Sequence, residues 1–213
     1  MENMVHVINH PLVRHKLTRC RQIETAPREF RELMEQLTVL LLYEAMRDLP
    51  LAESDIITPV AAARGHFLTG PEPVFVVVLR AGLGMLEGAL RLFPEARSGH
   101  IGLYRDPETL EPVQYYCKLP DGIEGHPCYL LEPMLATGGS AVHALNLLKE
   151  AGASGIKLLS LIASPEGIEA IGRHHPDVAV FLAAVDVELN KKGYIVPGLG
   201  DAGDRLYGTC QPG

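Results

Sequence analysis

Hydrophobic and polar positions along this chain follow two different periods, and the changes from one period to the other predict its elements. Apolar residues recur at helical spacing over residues 26–49 and predict a helix that Thr25 caps. Pro50 marks the end of this helix. Residues 50–73 mix proline, glycine and charge without a clear period, and they are interpreted as a loop with room for a short hairpin.

Short apolar runs bounded by turn residues predict strands. The run at residues 74–79 is expected to be buried on both faces, and the strands at residues 100–104 and 113–119 suit a hairpin-like arm. The predicted strands are residues 74–79, 100–104, 113–119, 128–132, 156–163 and 178–185, and the predicted helices between them follow residue 84 and occupy residues 140–151 and 165–174. Strands that alternate with helices are typical of a mainly parallel sheet with helices on both faces. The predicted fold class is therefore α/β, and 213 residues suffice for one domain, residues 1–213.

The most informative local motif lies where the strand at residues 128–132 ends on the carboxylate Glu132 and a helix follows. Gly138 and Gly139 let the backbone approach an anion, and the amides and dipole of the following helix face it. Thr137 and Ser140 add hydroxyl donors, while Glu132 can reach sugar hydroxyls. Taken alone, two glycines before a helix are more often a plain connection than a phosphate site, so both interpretations stay open at this point.

Residues 132–140, Glu-Pro-Met-Leu-Ala-Thr-Gly-Gly-Ser, resemble the ribose-5-phosphate loop of the type I phosphoribosyltransferases, in the form found in the uracil phosphoribosyltransferase family. Three further segments fit this family in the same order. Residues 79–85 resemble its pyrophosphate loop, residues 102–113 its mobile catalytic loop, and residues 193–205 its uracil-recognition segment. The resemblance implies the type I phosphoribosyltransferase fold with a β-arm, and a hood over the active site formed by the N-terminal segment and residues of about 186–209.

The resemblance implies transfer of a phosphoribosyl group from 5-phosphoribosyl-1-diphosphate (PRPP) to uracil, which gives UMP and diphosphate. Its implied catalytic residues are Arg80, Arg105 and Asp201. The residues implied in PRPP binding are Arg80, Arg105, Glu132, Pro133, Met134, Leu135, Ala136, Thr137, Gly138, Gly139, Ser140 and Asp201, and those implied in uracil binding are Ile195, Gly200, Asp201 and Ala202. Free amides of residues 81–84 are expected to hold the diphosphate beside Arg80. Mg²⁺ is the implied cofactor, bound mainly through PRPP, with no protein ligand assigned.

Charge and composition restrict the partners. A formal net charge of −7 and a pI near 5.7 argue against a nucleic-acid partner. An acidic protein that binds a polyphosphate must concentrate its positive charge, and Arg80, Arg105 and Arg205 are the candidates for this role. The resemblance adds the expectation of a homo-oligomer, a dimer or larger. Some members of the family are activated by GTP, which makes GTP a candidate effector.

The chain is expected in the cytoplasm without a membrane partner. Its N-terminus lacks the long apolar core of a signal peptide, and no apolar run approaches the ~20 residues of a membrane span. The cysteines show no metal-ligand spacing and are expected as reduced thiols; they are Cys20, Cys117, Cys128 and Cys210.

Two departures from the family pattern and two alternative functions stay open. Glu132 stands where the family usually has aspartate, and Val77 where it usually has proline. The alternatives are a non-catalytic nucleotide-sensing or regulatory paralogue, and a phosphoribosyltransferase for another base. The acidic charge and the complete set of loops argue against the first, and the uracil segment argues against the second. Arg105 has a structural alternative as part of a solvated turn with local ion pairs.

Overall fold

The described part of the chain, residues 4–105 and 112–209 of a computed structural model, contains six helices and twelve strands. The helices are α1 (Pro11–Arg21), α2 (Pro27–Ala45), α3 (Leu83–Leu92), α4 (Gly139–Glu150), α5 (Pro165–His174) and α6 (Ala202–Tyr207). The strands are β1 (Val5–Val7), β2 (Leu51–Ile57), β3 (Ala62–Leu68), β4 (Val74–Leu79), β5 (Arg97–Arg105), β6 (Pro112–Lys118), β7 (Cys128–Leu131), β8 (Met134–Leu135), β9 (Lys157–Ala163), β10 (Ala179–Val185), β11 (Glu188–Leu189) and β12 (Ile195–Val196). No helix in these two ranges is long and apolar enough to cross a bilayer.

Eight strands form the central sheet, in the order β1-β10-β9-β7-β4-β5-β6 with β8 also paired to β9. The pairings are parallel, except that β5 and β6 are antiparallel. Helices connect β4 to β5, β7 to β9 and β9 to β10, as crossovers between parallel strands require. The predicted α/β class with a mainly parallel sheet is confirmed.

Strand β4 shows why helices cover both faces of the sheet. Phe75 and Val77 belong to one hydrophobic cluster together with α1, α2 and α3, whereas Val74, Val76 and Val78 belong to a second cluster with α4 and α5. Successive side chains of a strand point to opposite faces. An unbroken apolar strand therefore requires a helical layer on each side, and the prediction that residues 74–79 form a strand buried on both faces is confirmed.

The N-terminal elements differ from the sequence prediction. Helix α2 begins at Pro27, and its N-cap residue is Ala26, which offers no side-chain hydrogen bond. Thr25, predicted to cap this helix, instead donates its hydroxyl to the Arg19 carbonyl oxygen at 2.5 Å and fixes the turn between α1 and α2. The apolar pattern did not predict α1 or β1. Helix α1 buries only a narrow stripe between charged residues, namely Val13, Leu17 and Cys20.

The segment between α2 and β4 forms a longer hairpin than the sequence pattern indicated. Strands β2 and β3 pair over seven positions, from Leu51 opposite Leu68 to Ile57 opposite Ala62. They form a two-stranded sheet of their own, and nearly all of their residues are exposed. We call this ribbon the arm (residues 51–68). The hairpin-like arm predicted from the sequence was a different pair of strands, residues 100–104 and 113–119, which the structure places in β5 and β6 as an antiparallel pair of the central sheet.

One buried carboxylate joins α1 to the C-terminal segment. Asp186 accepts hydrogen bonds from the two terminal nitrogens of the Arg21 guanidinium at 2.7 and 2.5 Å, and from the Gly198 amide at 2.9 Å. Arg21 also donates to the Gly198 carbonyl oxygen at 2.7 Å. The side chain of Asp186 is only 5% exposed, so its charge depends on these partners.

Replacing Arg21 by alanine should lower the free energy of unfolding by about 3 kcal/mol, because Asp186 would stay buried without its guanidinium partner. Urea denaturation followed by circular dichroism measures the change. Arg28→Ala is the matched control, since the pair of Arg28 with Glu32 is exposed and such pairs contribute about 0.5 kcal/mol or less. Equal losses in the two variants would contradict a structural role for the buried pair.

Candidate active site

The loops with the predicted chemistry follow the carboxyl ends of neighbouring parallel strands. Residues 80–82 follow β4 and residues 132–138 follow β7, which is the next strand in the sheet. Both loops therefore open at the same edge, where parallel α/β sheets bind their ligands. They border a cavity of about 230 Å³, called here the diphosphate cavity, which is lined by Val78, Leu79, Arg80, Ala81, Leu103, Glu132, Pro133, Met134, Ser140, Asp201 and Gly203.

A second cavity of about 410 Å³, called here the base cavity, opens beside the first. It is lined by Ala81, Met134, Ala136, Lys192, Gly193, Tyr194, Ile195, Gly200, Asp201, Ala202 and Gly203. The two cavities share Ala81, Met134, Asp201 and Gly203. All four residues implied in uracil binding line the base cavity. Of the residues implied in PRPP binding, six line the adjoining diphosphate cavity: Arg80, Glu132, Pro133, Met134, Ser140 and Asp201.

Arg80 lies at the diphosphate cavity with 55% of its side chain exposed. Its Nη2 donates to Oδ1 of Asp204 at 3.2 Å. The glycine two residues later is required for this turn, since a Cβ on Gly82 would lie 2.6 Å from the Val78 carbonyl oxygen and 2.7 Å from that of Leu131. The chain can leave β4 and enter α3 directly, which keeps Arg80 at the strand end.

The amides of this loop correct one expectation. Residues 81–84 were expected to offer free N–H groups to a diphosphate. In the structure the Gly82, Leu83 and Gly84 amides donate to the carbonyl oxygens of residues 78, 80 and 81, at 2.9, 3.2 and 3.2 Å. These amides are used in the turn that starts α3. The Arg80 guanidinium is therefore the main donor that the loop offers to an anion.

The phosphate loop ends in a glycine whose conformation is special. Gly138 has a φ of +82° and is the N-cap residue of α4. A Cβ there would also lie 2.7 Å from the Cβ of Ala170 on α5, so both backbone and packing require glycine. The first-turn amides of α4, residues 139–141, have no acceptor within the helix and are oriented to its N-terminal end. This arrangement favours a bound anion beside Ser140.

Residues 133–136 are more regular than the predicted loop. Met134 and Leu135 form β8 beside β9, and Ser164 donates its hydroxyl to the Ala136 carbonyl oxygen at 2.6 Å. The carbonyl oxygen of Pro133 accepts from the amide of residue 161 at 3.0 Å. Leu135 is 1% exposed and packs in the core, so it can meet a phosphate only through its backbone. Residues 133–136 are thus fixed by hydrogen bonds to β9 and to Ser164.

Glu132 occupies an unusual environment for a carboxylate. Its amide donates to the Leu159 carbonyl oxygen at 3.1 Å, which fixes the residue at the end of β7. Within residues 4–105 and 112–209, its Oε2 is shielded from solvent and has no hydrogen-bond partner. Burial raises the pKa of Glu132 from about 4.5 to about 8, because burial disfavours the charged form. An unpartnered carboxyl oxygen at a cavity wall fits a ligand that carries hydroxyl groups or a cation.

Asp201 stands between the two cavities and starts α6. Its Oδ1 accepts from the Asp204 amide at 2.9 Å, which makes Asp201 the N-cap residue. The path leading to it depends on glycine. Gly198 has a φ of +65°, and a Cβ there would lie 2.1 Å from the Ile195 carbonyl oxygen; Gly200 has a φ of +80°. The wall of the base cavity is therefore main chain held in conformations that side chains would prevent.

The structure describes Arg105 only in part. Arg105 is the last residue of β5, while its side chain and residues 106–111 lie outside the described residues. Its implied catalytic role stays a prediction. The neighbouring Tyr104 packs its ring against that of Tyr115, with centroids 6.4 Å apart, and β6 then returns antiparallel to β5.

The sequence suggested that Arg205 supplies positive charge at the binding site. In the structure Arg205 lines neither the diphosphate cavity nor the base cavity. Its guanidinium donates to the carbonyl oxygens of Cys20, Gln22 and Leu199, and it lies 4.3 Å from the centroid of the Phe30 ring. These contacts join α6 to the end of α1. Arginine in a glycine-rich binding segment was taken as an anion ligand, but Arg205 donates to three backbone carbonyl oxygens, two of which, those of Cys20 and Gln22, are distant in sequence.

Sequence reasoning did not assign several residues that the structure places at the site. Lys192 and Tyr194 line the base cavity, and Asp204 and Tyr207 contact Arg80. The sequence pattern could have indicated Asp204 and Tyr207, since they follow Asp201 at intervals of three residues and so share one face of a helix. Their common partner, however, follows a strand more than a hundred positions earlier.

Glu132→Gln should make the ligand-free protein more stable than the wild type at alkaline pH. The wild-type carboxyl ionises near pH 4.5 when unfolded but near pH 8 when folded, so the folded state binds an extra proton between these values. Wild-type stability therefore falls relative to the variant as pH rises from 4.5 to 8, and the difference levels off above pH 8. Thermal unfolding between pH 5 and 9 measures it; a difference independent of pH would contradict the raised pKa.

Comparison with known proteins gives a consistent result over almost the whole chain. The family model described as uracil phosphoribosyltransferase matches residues 7–209. The uracil phosphoribosyltransferase of Thermus thermophilus is 58% identical over 205 residues, which cover 96% of this chain and 99% of the relative. That of Bacillus pumilus is 55% identical over 205 residues, which cover 96% and 98%.

Solved structures agree with the fold. A protein from Aquifex aeolicus that is 42% identical superposes with a TM-score of 0.89 and covers 96% of this chain and 98% of its own. A hypoxanthine-guanine phosphoribosyltransferase from Bacillus anthracis is 13% identical, with a TM-score of 0.51 over 75% of this chain and 82% of its own, and shows a shared fold alone. With the family match covering every loop at the two cavities, this chain belongs to the uracil phosphoribosyltransferase family.

Proposed function

We propose that this protein transfers the phosphoribosyl group of PRPP to uracil, with UMP and diphosphate as products. One observation carries the proposal: the cavity that Arg80 and Glu132 border and the cavity that Ile195 and Ala202 border meet at Asp201. A sugar phosphate in the first cavity and a pyrimidine in the second would place C1 of the ribose against a ring nitrogen of the base. Membership of the uracil phosphoribosyltransferase family supports the same reaction.

PRPP would be held at its two charged ends. The amides of residues 139–141 and the dipole of α4 would bind the 5′-phosphate, because a helix N-terminus favours negative charge. Arg80 would bind the diphosphate with the N–H donors that its hydrogen bond to Asp204 leaves over. Glu132 would orient the ribose hydroxyls, and these would supply the partners that its buried Oε2 lacks within residues 4–105 and 112–209.

Mg²⁺ fits this site as an ion that arrives with its ligand. The described residues contain no group of three or more His, Cys, Asp or Glu that could hold a metal. Since Mg²⁺ prefers oxygen ligands and commonly takes them from substrate phosphates, PRPP oxygens would form most of its coordination shell. Asp201, whose N-cap bond uses Oδ1, would add a carboxylate beside them. When bound, the ion neutralises negative charge on the diphosphate.

Uracil would be recognised by main chain. It offers two carbonyl acceptors and one N–H donor besides the reacting nitrogen, so a selective cavity needs polar groups that keep their positions. The backbone of residues 195–202 lines the base cavity along a path that Gly198 and Gly200 fix. Ala202 is 3% exposed and its small side chain leaves room for the ring.

The reaction develops positive charge on the ribose and negative charge on the diphosphate. Arg80 would stabilise the leaving group, and Asp201, which lines both cavities, would stabilise the positive charge on the ribose. The N–H of uracil is already acidic, so no dedicated general base is assigned. Arg105, at the end of β5, would close over the diphosphate and keep water from the activated sugar.

We also propose an assembly and a location. An isolated two-stranded hairpin is marginally stable in water, yet the arm leaves Leu51, Ile57, Phe67 and Leu68 more than half exposed. A second copy of the chain would cover these side chains, which supports a homo-oligomer, a dimer or larger. We treat residues 1–213 as one domain in which α1 and residues 186–209 act as the hood. GTP as an effector and the cytoplasm as location rest on the family resemblance.

Formation of UMP from uracil, PRPP and Mg²⁺ tests the proposed reaction directly. Chromatographic assay should detect UMP and diphosphate with uracil, and no nucleotide with hypoxanthine, adenine, orotate or cytosine, because the backbone donors and acceptors are fixed. Chelation of Mg²⁺ should abolish the product. Turnover of another base would overturn the base assignment, and binding without turnover of any base would favour the regulatory paralogue.

Ala202→Leu should abolish uracil binding while PRPP still binds. The larger side chain would fill the base cavity and displace its backbone, and overpacking costs of about 1–3 kcal/mol alone would weaken uracil binding by about fivefold to 150-fold. The phosphate loop lies on a different element. Isothermal titration of both ligands measures the two affinities. Unchanged uracil affinity, or loss of both ligands from a folded variant, would show that the base binds elsewhere.

A further inference from the structure

The C-terminal helix makes three contacts with Arg80. Oδ1 of Asp204 accepts from the guanidinium Nη2 at 3.2 Å, and the guanidinium carbon lies 6.0 Å from the centroid of the Tyr207 ring. The Tyr207 hydroxyl also donates to the Arg80 carbonyl oxygen at 3.4 Å. Because Asp204 and Tyr207 are three residues apart on α6, one helix face contacts both the backbone and the side chain of this arginine.

Asp204 is itself held on three sides. Its Oδ1 accepts from the Thr209 hydroxyl at 2.6 Å, and its carbonyl oxygen accepts from the Thr209 amide at 3.1 Å. Its own amide donates to Oδ1 of Asp201 at 2.9 Å. The carboxylate therefore has a defined orientation, and it presents one oxygen to Arg80.

We propose that Asp204 is a positioning residue for diphosphate binding, which holds the Arg80 guanidinium at the diphosphate cavity before the ligand arrives. This inference rests on the proposed function of the site. A long arginine side chain that is more than half exposed loses rotamer freedom when it binds a ligand, and a preformed contact removes part of that loss beforehand. One guanidinium N–H is used by Asp204, and the other donors stay available to the diphosphate.

A carboxylate beside an arginine can also compete with an anionic ligand, and the geometry distinguishes the two roles. Asp186 shows the competing arrangement in this same chain, since its two oxygens take both terminal nitrogens of Arg21 at 2.7 and 2.5 Å. Asp204 makes a single contact to one nitrogen of Arg80 at 3.2 Å. The fork of the Arg80 guanidinium is thus left open for a bidentate anion.

The contact also links the two cavities. Helix α6 starts at Asp201 and Ala202, which border the base cavity, and it carries Asp204 and Tyr207 to Arg80. A single short element therefore sets both a wall of the base cavity and the direction of the diphosphate arginine.

Isothermal titration with magnesium diphosphate tests the inference without turnover. Asparagine at position 204 keeps an acceptor oxygen for Arg80 and alanine does not, so affinity should fall in the order wild type, Asp204→Asn, Asp204→Ala. The alanine variant should bind about twofold to fivefold more weakly, the range expected for an exposed ion pair. Asp177→Asn, which alters an exposed pair with Lys149 away from the cavities, should bind like the wild type.

A double-variant cycle decides whether Asp204 acts through Arg80. Arg80→Ala combined with Asp204→Ala should bind no more weakly than Arg80→Ala alone, because the positioned group is already absent. Asp204→Asn replaces the alanine variant in the cycle if alanine prevents folding. Tighter binding in either Asp204 variant would identify a competitor, and additive losses would identify a contact independent of Arg80; each result overturns the proposal. UMP formation by the wild type, measured separately, tests the proposed function and does not enter this cycle.

Discussion

Burial of the central sheet on both faces is the constraint on which the rest of this structure depends. The apolar run of β4 divides its side chains between two cores, one under α1, α2 and α3 and the other under α4 and α5. With both faces covered, the edge at the strand ends is where polar groups can lie exposed and still converge. The loops after β4 and β7, which carry Arg80 and Glu132, meet there because their strands are neighbours.

The hood depends on a second interaction, the pairing of a buried carboxylate with an arginine. Asp186 brings Arg21 and the Gly198 backbone together, and Arg205 joins the end of α1 to Leu199 through carbonyl oxygens. Neither arginine touches the cavities. Both hold the segment whose glycines form the base cavity, so recognition of the base by main chain depends on cationic side chains that are distant from it.

The sequence predicted the central elements well, since local pattern alone determines them. Residues 74–79 and 165–174 were predicted with the boundaries observed for β4 and α5, because an apolar run and a capped helix need no distant partner to be recognised. Strand β1 was missed, as three residues gain regular structure only by pairing with β10. Local residue types likewise identified the glycine loops and the acidic strand end at Glu132. The pairing of Arg80 with Asp204 could not be predicted, since 124 positions separate them.

Tertiary contacts also decide how much negative charge the carboxyl groups present near the diphosphate cavity. The carboxyl groups of Glu132 and Asp201 line a cavity that would receive a polyanion, and that of Asp204 contacts Arg80 beside it. The chain as a whole carries a net charge of −7. Burial raises the pKa of Glu132 to about 8, which favours the neutral form of this carboxyl group at neutral pH. One oxygen of Asp201 accepts a hydrogen bond from the Asp204 amide in α6, and one oxygen of Asp204 accepts a hydrogen bond from Arg80. The negative charge near the cavity is therefore reduced where no cation is present, and oxygen ligands remain for a cation that arrives with the substrate.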